Sequence, residues 1–224
     1  MSIRKGEPWG GPEDSPPDLV VTGDDHDLAA AVAGAPPGVL VSFLAAPGSD
    51  VARAVGLRTG APHQGVALPM DALALDDGTL AVNAVVLGRP PDRLRARDRS
   101  GAITLTLNGT EGGEGSGETI ADATTLVVAT GQWLRGADLV PRGHPGDGRA
   151  ELQVYRLRRS ERRAMRRRLP TGAHLPHPRI VTRTAVEVEA RADRGFPLEI
   201  DGRPRPPAAA LQVRLIPSRY RLLI

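Results

Sequence analysis

The sequence of 224 residues contains no cysteine, and this absence excludes disulfide bonds, thiolate metal sites and cysteine nucleophiles. Aromatic residues make up only 3% of the chain, so valine, leucine, isoleucine and alanine must fill the core. Branched aliphatic side chains of this kind pack well in β-strands. The composition therefore favours a globular protein that is built largely from strands.

Long hydrophobic segments are also missing. No run of about 18 apolar residues occurs, so we expect no membrane-spanning helix. Residues 1–17 lack the apolar segment of a secretory signal peptide. We therefore expect a cytoplasmic protein, with peripheral contact at the inner face of the membrane as an option.

Lysine is almost absent, since Lys5 stands against 28 arginines. Any cation that binds a phosphate inside this protein must therefore be an arginine, which can bind two phosphate oxygens at once. Residues 151–224 carry 17 arginines and only seven acidic residues. This basic half either faces an anionic surface or forms a solvated arginine-rich face.

The first quarter of the chain shows a repeated local pattern. Residues 1–17 are rich in proline and glycine and predict an irregular arm. Between residues 18 and 60 a strand, a turn and a short helix occur twice, which predicts parallel pairing of the two strands. The predicted elements are strands at Asp18–Thr22 and Gly38–Leu44 and helices at Leu28–Ala33 and Asp50–Val55.

Short strands separated by glycine turns dominate residues 61–224 and predict a β-sandwich. The predicted strands are Val66–Leu75, Thr79–Leu87, Ala102–Leu107, Thr124–Thr130, Ala150–Leu157, Ala185–Ala190, Pro197–Ile200, Leu211–Ile216 and Tyr220–Ile224. The run Asn108–Gly117 predicts a loop. The predicted fold class is thus α+β, with a partial α/β unit of two βα repeats followed by a larger β-sandwich domain.

One helix is expected in this second part, at Ser160–Leu169, and arginines cover much of its circumference. It could contact anionic lipid headgroups, or it could be solvated and paired with acidic neighbours. Nucleic-acid binding is not expected, because no aromatic residues are interleaved with the arginines.

The order of several short motifs resembles that of the bacterial diacylglycerol kinase and sphingosine kinase-like lipid kinases. Gly23–Asp27 resembles the family's G-G-D-G-T turn, and Ala46–Arg53 resembles its G-T-G-N-D-F-A-R turn. Further similar stretches are Met70–Gly88, Gly131–Gly148, Gly172–Pro178 and Glu199–Gly202. Each motif alone is weak, but their common order over residues 18–224 is specific.

This resemblance implies ATP and Mg²⁺ as cofactors and a lipid alcohol as substrate. It implies that Gly23, Asp25 and Gly48 bind the nucleotide phosphates. Asp25 would orient Mg²⁺ or phosphate, or it is a turn aspartate that binds its own backbone.

The resemblance also implies two metal ligands and a catalytic base. Asp50 and Asp147 would bind a metal, or they are a helix cap and a turn residue respectively. Asp201 would accept the proton of the lipid hydroxyl, or it belongs to an ordinary Asp-Gly hairpin turn.

The departures from the family pattern leave two functions open. Asp24, His26 and Asp27 replace two glycines and a threonine of the first turn, and Arg203 replaces a late glutamate. The family has further βα units before this point, so we expect either a truncated nucleotide domain or a misplaced start. The alternatives are a phosphotransferase with eroded nucleotide motifs and a non-catalytic pseudokinase that binds a lipid or a protein partner, including a second copy of the chain.

Overall fold

The computed structural model describes residues 9–58, 65–109 and 117–224, and β-strands dominate it. Its helices are α1 (Asp25–Ala33), α2 (Asp50–Val55) and α3 (Arg162–Arg168), with short 3-10 helices at Pro91–Arg93 and Leu169–Thr171. Its strands are β1 (Gly11–Glu13), β2 (Leu19–Gly23), β3 (Val39–Ala45), β4 (Gly65–Leu75), β5 (Leu80–Ala81), β6 (Ala84–Gly88), β7 (Gly101–Asn108), β8 (Glu118–Ala123), β9 (Thr125–Ala129), β10 (Trp133–Leu134), β11 (Ala137–Asp138), β12 (Ala150–Tyr155), β13 (Ile180–Ala185), β14 (Glu187–Ile200) and β15 (Arg203–Leu223).

The two βα repeats form one end of the described structure. Strands β2 and β3 are parallel neighbours, and α1 connects them. Leu28 and Val32 of α1 are fully buried and pack in one core with Val41 and Phe43 of β3. Since α1 and α2 are short, this packing rather than helix propensity stabilises them.

The larger β-rich part is organised by two long strands, β14 and β15. The first half of β14 pairs with β7 and its second half with β6, while β15 runs beside it in antiparallel orientation. The register of the β14–β15 pair shifts between Arg191 and Phe196, and such an irregularity allows β14 to bend. Side chains from both halves of β14 therefore pack into one aliphatic core. The prediction of a β-rich larger part is confirmed.

The C-terminal strand joins the two parts. Residues Tyr220–Leu223 of β15 lie parallel to β3 and antiparallel to β4. A bulge between Ile216 and Tyr220, with Ser218 at a φ of 49°, separates this segment from the rest of β15. The predicted strands Leu211–Ile216 and Tyr220–Ile224 are therefore one strand with an irregular bend.

Several local predictions were wrong. The arm is not irregular throughout, because β1 pairs with β4 at the sheet edge. The predicted strand Thr79–Leu87 is interrupted between β5 and β6, where the backbone turns its amides toward Asp201. Strands β8 and β13 were not predicted. The predicted loop Asn108–Gly117 falls mostly on residues 110–116, which lie outside the described residues.

Helix α3 is present within the predicted range, but its arginines do not all face solvent. Arg162 is only 3% exposed and donates to backbone carbonyls of the loop that precedes β7, those of Arg95 and Asp98 among them. Arg163 and Arg167 remain exposed. Among the three described ranges, no helix combines the length and the apolar character needed to cross a bilayer.

Candidate active-site cleft

The turn that resembles the phosphate-binding motif is closed by its own side chains. The Asp24 carboxylate caps α1 by accepting from the backbone amides of His26 at 3.0 Å and Asp27 at 3.2 Å. In return the Asp27 carboxylate accepts from the amide of Asp24 at 2.9 Å, which completes a capping box. Three amides at the start of this helix are therefore already bonded to carboxylates.

Gly23 lies directly beneath the Asp27 carboxylate. A Cβ atom built on Gly23 would lie 2.1 Å from Oδ2 of Asp27, and the glycine has a φ of 144°. In phosphate-binding turns a glycine allows the ligand to approach the backbone this closely. Here the chain's own carboxylate fills the space that the glycine leaves.

Asp25 points away from this turn and into the protein. One oxygen of its buried carboxylate accepts from the Ser49 hydroxyl at 2.5 Å, and the other accepts from the Asp50 amide at 2.9 Å. Burial raises the pKa of Asp25 to about 6, against these hydrogen bonds, which favour the ionised form. The structure thus gives Asp25 a third role that neither sequence interpretation included, since it binds the backbone of the second turn.

In the second turn, unlike the first, no side chain fills the space beside the glycine. Gly48 has a φ of 94°, and a Cβ there would meet nothing within 4 Å. Ser49 caps α2 by accepting from the amide of Ala52 at 3.0 Å. Gly48 is therefore required for its backbone conformation, and its role in binding phosphate stays a prediction.

Asp50 connects the βα unit to the loop that follows β10. Its carboxylate accepts from the backbone amides of Arg135 at 2.5 Å and Gly136 at 2.8 Å. Burial raises the pKa of Asp50, while these two amides act in the opposite direction. Both oxygens thus accept from the backbone, and the role of Asp50 as a metal ligand stays a prediction.

Asp201 lies in the turn between β14 and β15 with a φ of 44°. Its carboxylate accepts from three backbone amides, those of Val82 at 2.8 Å, Asn83 at 3.0 Å and Ala84 at 2.9 Å. Burial raises the pKa of Asp201 to about 7, and the charge of Asp25 acts in the same direction. The fold therefore places the two aspartates close enough for their charges to interact, although they are far apart in the sequence.

A buried tyrosine lies in the same acidic environment. Tyr220 is fully buried, and its hydroxyl has no hydrogen-bond partner among the described residues. Burial raises the pKa of Tyr220 well above its usual value, and Asp25, Asp201 and Asp71 act in the same direction. No sequence motif indicated this residue, because it is the β15 pairing that places it beside the two turns.

Asp147 interacts with Asp71 rather than with Asp50 in the described contacts. Asp71 is fully buried and accepts from the amides of Gly148 and Ser218, each at 2.8 Å. Asp147 accepts from the amide of Arg149 at 3.0 Å, and burial raises its pKa. Over residues 9–58, 65–109 and 117–224, no cluster of three or more His, Asp or Glu side chains is arranged to hold a metal ion.

Two arginines form ion pairs near the aspartate turns that the sequence did not indicate. Arg203 at the start of β15 pairs with Asp24, the N-cap of α1, at 2.5 Å. Arg135 pairs with Asp92 at 2.5 Å and also contacts Glu199. These partners are separated by 43 to 179 residues in the chain, so no local spacing could have indicated them.

Comparison with known proteins identifies the fold. No family sequence model and no curated protein matches the chain. Three solved structures from Bacillus anthracis str. Sterne do match, one described as a diacylglycerol kinase and two assigned that activity provisionally. They superpose with TM-scores of 0.70, 0.72 and 0.69 at 14%, 13% and 15% identity. Each alignment covers 92% of this chain and 76–78% of the other. The chain therefore has the fold of these bacterial diacylglycerol kinases, as its motif order implied.

Proposed function

We propose that this protein is a non-catalytic descendant of the lipid-kinase fold that acts by binding a lipid or a partner. The observation that carries the proposal is the capping box of Asp24 and Asp27. It occupies, with two negative charges, the position in which the family motif admits a phosphate. The fold is kinase-like, whereas the backbone amides of the turn that resembles the phosphate-binding motif donate to the chain's own carboxylates.

The energetics of this turn oppose nucleotide binding. A helix start attracts phosphate because its amides are free to donate and its dipole favours negative charge. In α1 the amides of Asp24, His26 and Asp27 already donate to carboxylates. An approaching phosphate would lose those donors and would also be repelled, by about 1 kcal/mol per charge pair even in water at contact distance.

The residues assigned to Mg²⁺ by resemblance give little support for a metal in this arrangement. Hard cations take several oxygen ligands at once. Over the described residues, Asp50 and Asp147 belong to no cluster of three or more His, Asp or Glu side chains that could hold a metal ion. Each oxygen of Asp50 also accepts from a backbone amide, so a metal would have to share these oxygens with the amides.

Titration with Mg²⁺ and ATP in a calorimeter tests the proposal directly. The wild-type chain should show no saturable binding. The triple variant D24G/H26G/D27T rebuilds the glycine-rich turn and should bind ATP at least about tenfold more tightly, since two like charges are removed. The matched control H26G removes the bulk of the histidine but keeps both carboxylates, and it should resemble the wild type. Micromolar ATP binding by the wild type would refute the proposal.

A second candidate is ATP-dependent phosphoryl transfer to a lipid hydroxyl, and one observation favours it. The pKa of Asp201 is raised by burial to about 7, which is the range of an effective general base. Against it, all three of its hydrogen bonds go to backbone amides and the residue is 8% exposed. Incubation with ATP, Mg²⁺ and diacylglycerol- or sphingosine-like alcohols decides between the two. ADP release above that of D201N would establish transfer, and equal release would exclude it.

A further inference from the structure

A cleft that shares no residue with the aspartate turns lies in the β-rich part. It encloses about 600 Å³ between the end of β12, the start of α3 and the segments that lead into β7 and β13. Six arginines line it, against two aspartates, Asp98 and Asp122. The arginines are Arg99, Arg156, Arg158, Arg159, Arg162 and Arg179.

Arg162 gives this cleft a rigid base. Its side chain is 3% exposed and donates to the carbonyl oxygens of Leu157 at 3.2 Å, Arg95 at 2.7 Å and Asp98 at 2.7 Å. These carbonyls belong to both walls, so one guanidinium joins the end of β12 to the loop before β7. Such support fixes the backbone of both walls without a ligand.

Most of the remaining positive charge in the cleft is not neutralised. Arg179 pairs with Glu161 at 3.3 Å, and Arg156 donates to the carbonyl of Ala121 at 2.8 Å. The other three, Arg99, Arg158 and Arg159, are exposed, and no described residue forms a hydrogen bond or ion pair with their guanidinium groups.

The acids of the lining offset this charge only in part. Asp98 pairs with Arg89 at 3.0 Å, which leaves Asp122 as the other acid against six arginines. A second hollow of about 330 Å³ shares Asp98 and Arg99 with the cleft and adds Arg89, Arg97 and Arg194 to its lining. The positive surface therefore continues beyond the cleft rather than ending at an acidic rim.

We propose that this arginine cleft binds a phosphate monoester. Guanidinium groups bind phosphate oxygens through paired, charge-assisted hydrogen bonds, and several of them around one hollow suit a dianion better than a single carboxylate. The volume is in the range of small-ligand sites. No aromatic residue lines the cleft, so the stacking that single-stranded nucleic acids require is missing. The phosphate belongs either to a lipid headgroup or to a small soluble ester.

This inference does not depend on whether the chain transfers phosphate, since the cleft shares no residue with the aspartate turns. It also differs from binding by the exposed surface of α3. That distinction supplies a matched pair of variants. R158Q/R159Q removes two charges inside the cleft, and R163Q/R167Q removes two charges from the exposed face of α3.

Calorimetric titration of the full chain with glycerol 3-phosphate tests the cleft. The wild type should bind, R158Q/R159Q should bind at least about tenfold more weakly, and R163Q/R167Q should stay within about twofold of the wild type. Thermal unfolding of both variants should match the wild type, because all four side chains are exposed. Absence of binding by the wild type, or equal loss in both variants, would overturn the proposal.

Vesicle sedimentation then identifies the source of the phosphate. Phosphatidylcholine vesicles carrying phosphatidic acid present a monoester, whereas vesicles carrying phosphatidylglycerol present a diester at similar charge density. Preferential sedimentation with phosphatidic acid, reversed by glycerol 3-phosphate, would support a lipid headgroup in the cleft. Binding of glycerol 3-phosphate without sedimentation would support a soluble ester. Equal sedimentation with both lipids and no competition would refute a monoester site.

Discussion

The carboxylate of Asp25 accepts a 2.5 Å hydrogen bond from the hydroxyl of Ser49, and this contact ties the starts of α1 and α2 together. Ser49 in turn accepts from the amide of Ala52, so one hydroxyl caps a helix and joins two turns. The first carboxylate of the family-like motif is thus used for structure. A ligand in this cleft would have to compete with contacts that the fold itself needs.

Replacing Ser49 by alanine should destabilise the protein by about 1–2 kcal/mol, because α2 loses its N-cap and the buried carboxylate of Asp25 loses the hydroxyl that donates to it. Urea unfolding followed by circular dichroism measures the change. Ser160→Ala is the control, since Ser160 is exposed and forms no described side-chain contact. Equal midpoints for the two variants would show that the Asp25–Ser49 contact contributes nothing.

Removing the Asp201 carboxylate should have a larger effect. In D201A the amides of Val82, Asn83 and Ala84 lose their acceptor inside the protein, at a cost of about 1–3 kcal/mol for each group that stays unsatisfied. We expect a total loss of about 3 kcal/mol, since water will reach part of the site. The exposed Asp76→Ala serves as the control, and a D201A variant as stable as that control would contradict the assignment.

Stability should fall as the pH rises from about 4 to about 7. Burial raises the pKa of Asp25 to about 6 and that of Asp201 to about 7, above the value of about 3.9 in an unfolded chain. The folded state therefore holds more protons than the unfolded state in this window, and its extra stability is lost on deprotonation. The slope is at most about 1.4 kcal/mol per pH unit for each group.

Urea unfolding at several pH values measures this slope, and D201N should make it shallower because one of the two groups no longer titrates. A steep slope that survives in D201N would show that other groups determine the pH dependence.

Replacing Arg135 by glutamine should destabilise the protein by about 3 kcal/mol, because Asp92 and Glu199 then lose their shared cation in a largely buried site. Arg163→Gln removes a charge of the same type from an exposed position and should have little effect. The double variant R135Q/E199Q should recover part of the loss, since one uncompensated charge is removed with its partner. Failure of this recovery would argue against a direct interaction.

Local sequence patterns determined a good part of the secondary structure. The helix expected at Asp50–Val55 has those bounds, because Ser49 is a strong N-cap and Gly56 adopts the left-handed conformation, with a φ of 73°, that ends a helix. The alternating strand at Ala185–Ala190 falls largely on β14. The order of motifs, none of them specific alone, indicated the lipid-kinase fold.

What local patterns could not determine is the direction in which each aspartate points. Asp201 meets amides that are 117 to 119 residues earlier in the chain, and Asp24 meets Arg203 across 179 residues. Such contacts depend on how β15 bends between β14, β4 and β3, which no nearby residue specifies. The sequence alone determined which residues carry charge and where α2 starts, whereas α1 begins at Asp25, three residues before the predicted Leu28. Only the tertiary structure decided that the buried carboxylates of Asp25, Asp50 and Asp201 bond to the chain's own backbone, because a buried acceptor needs a donor within the fold.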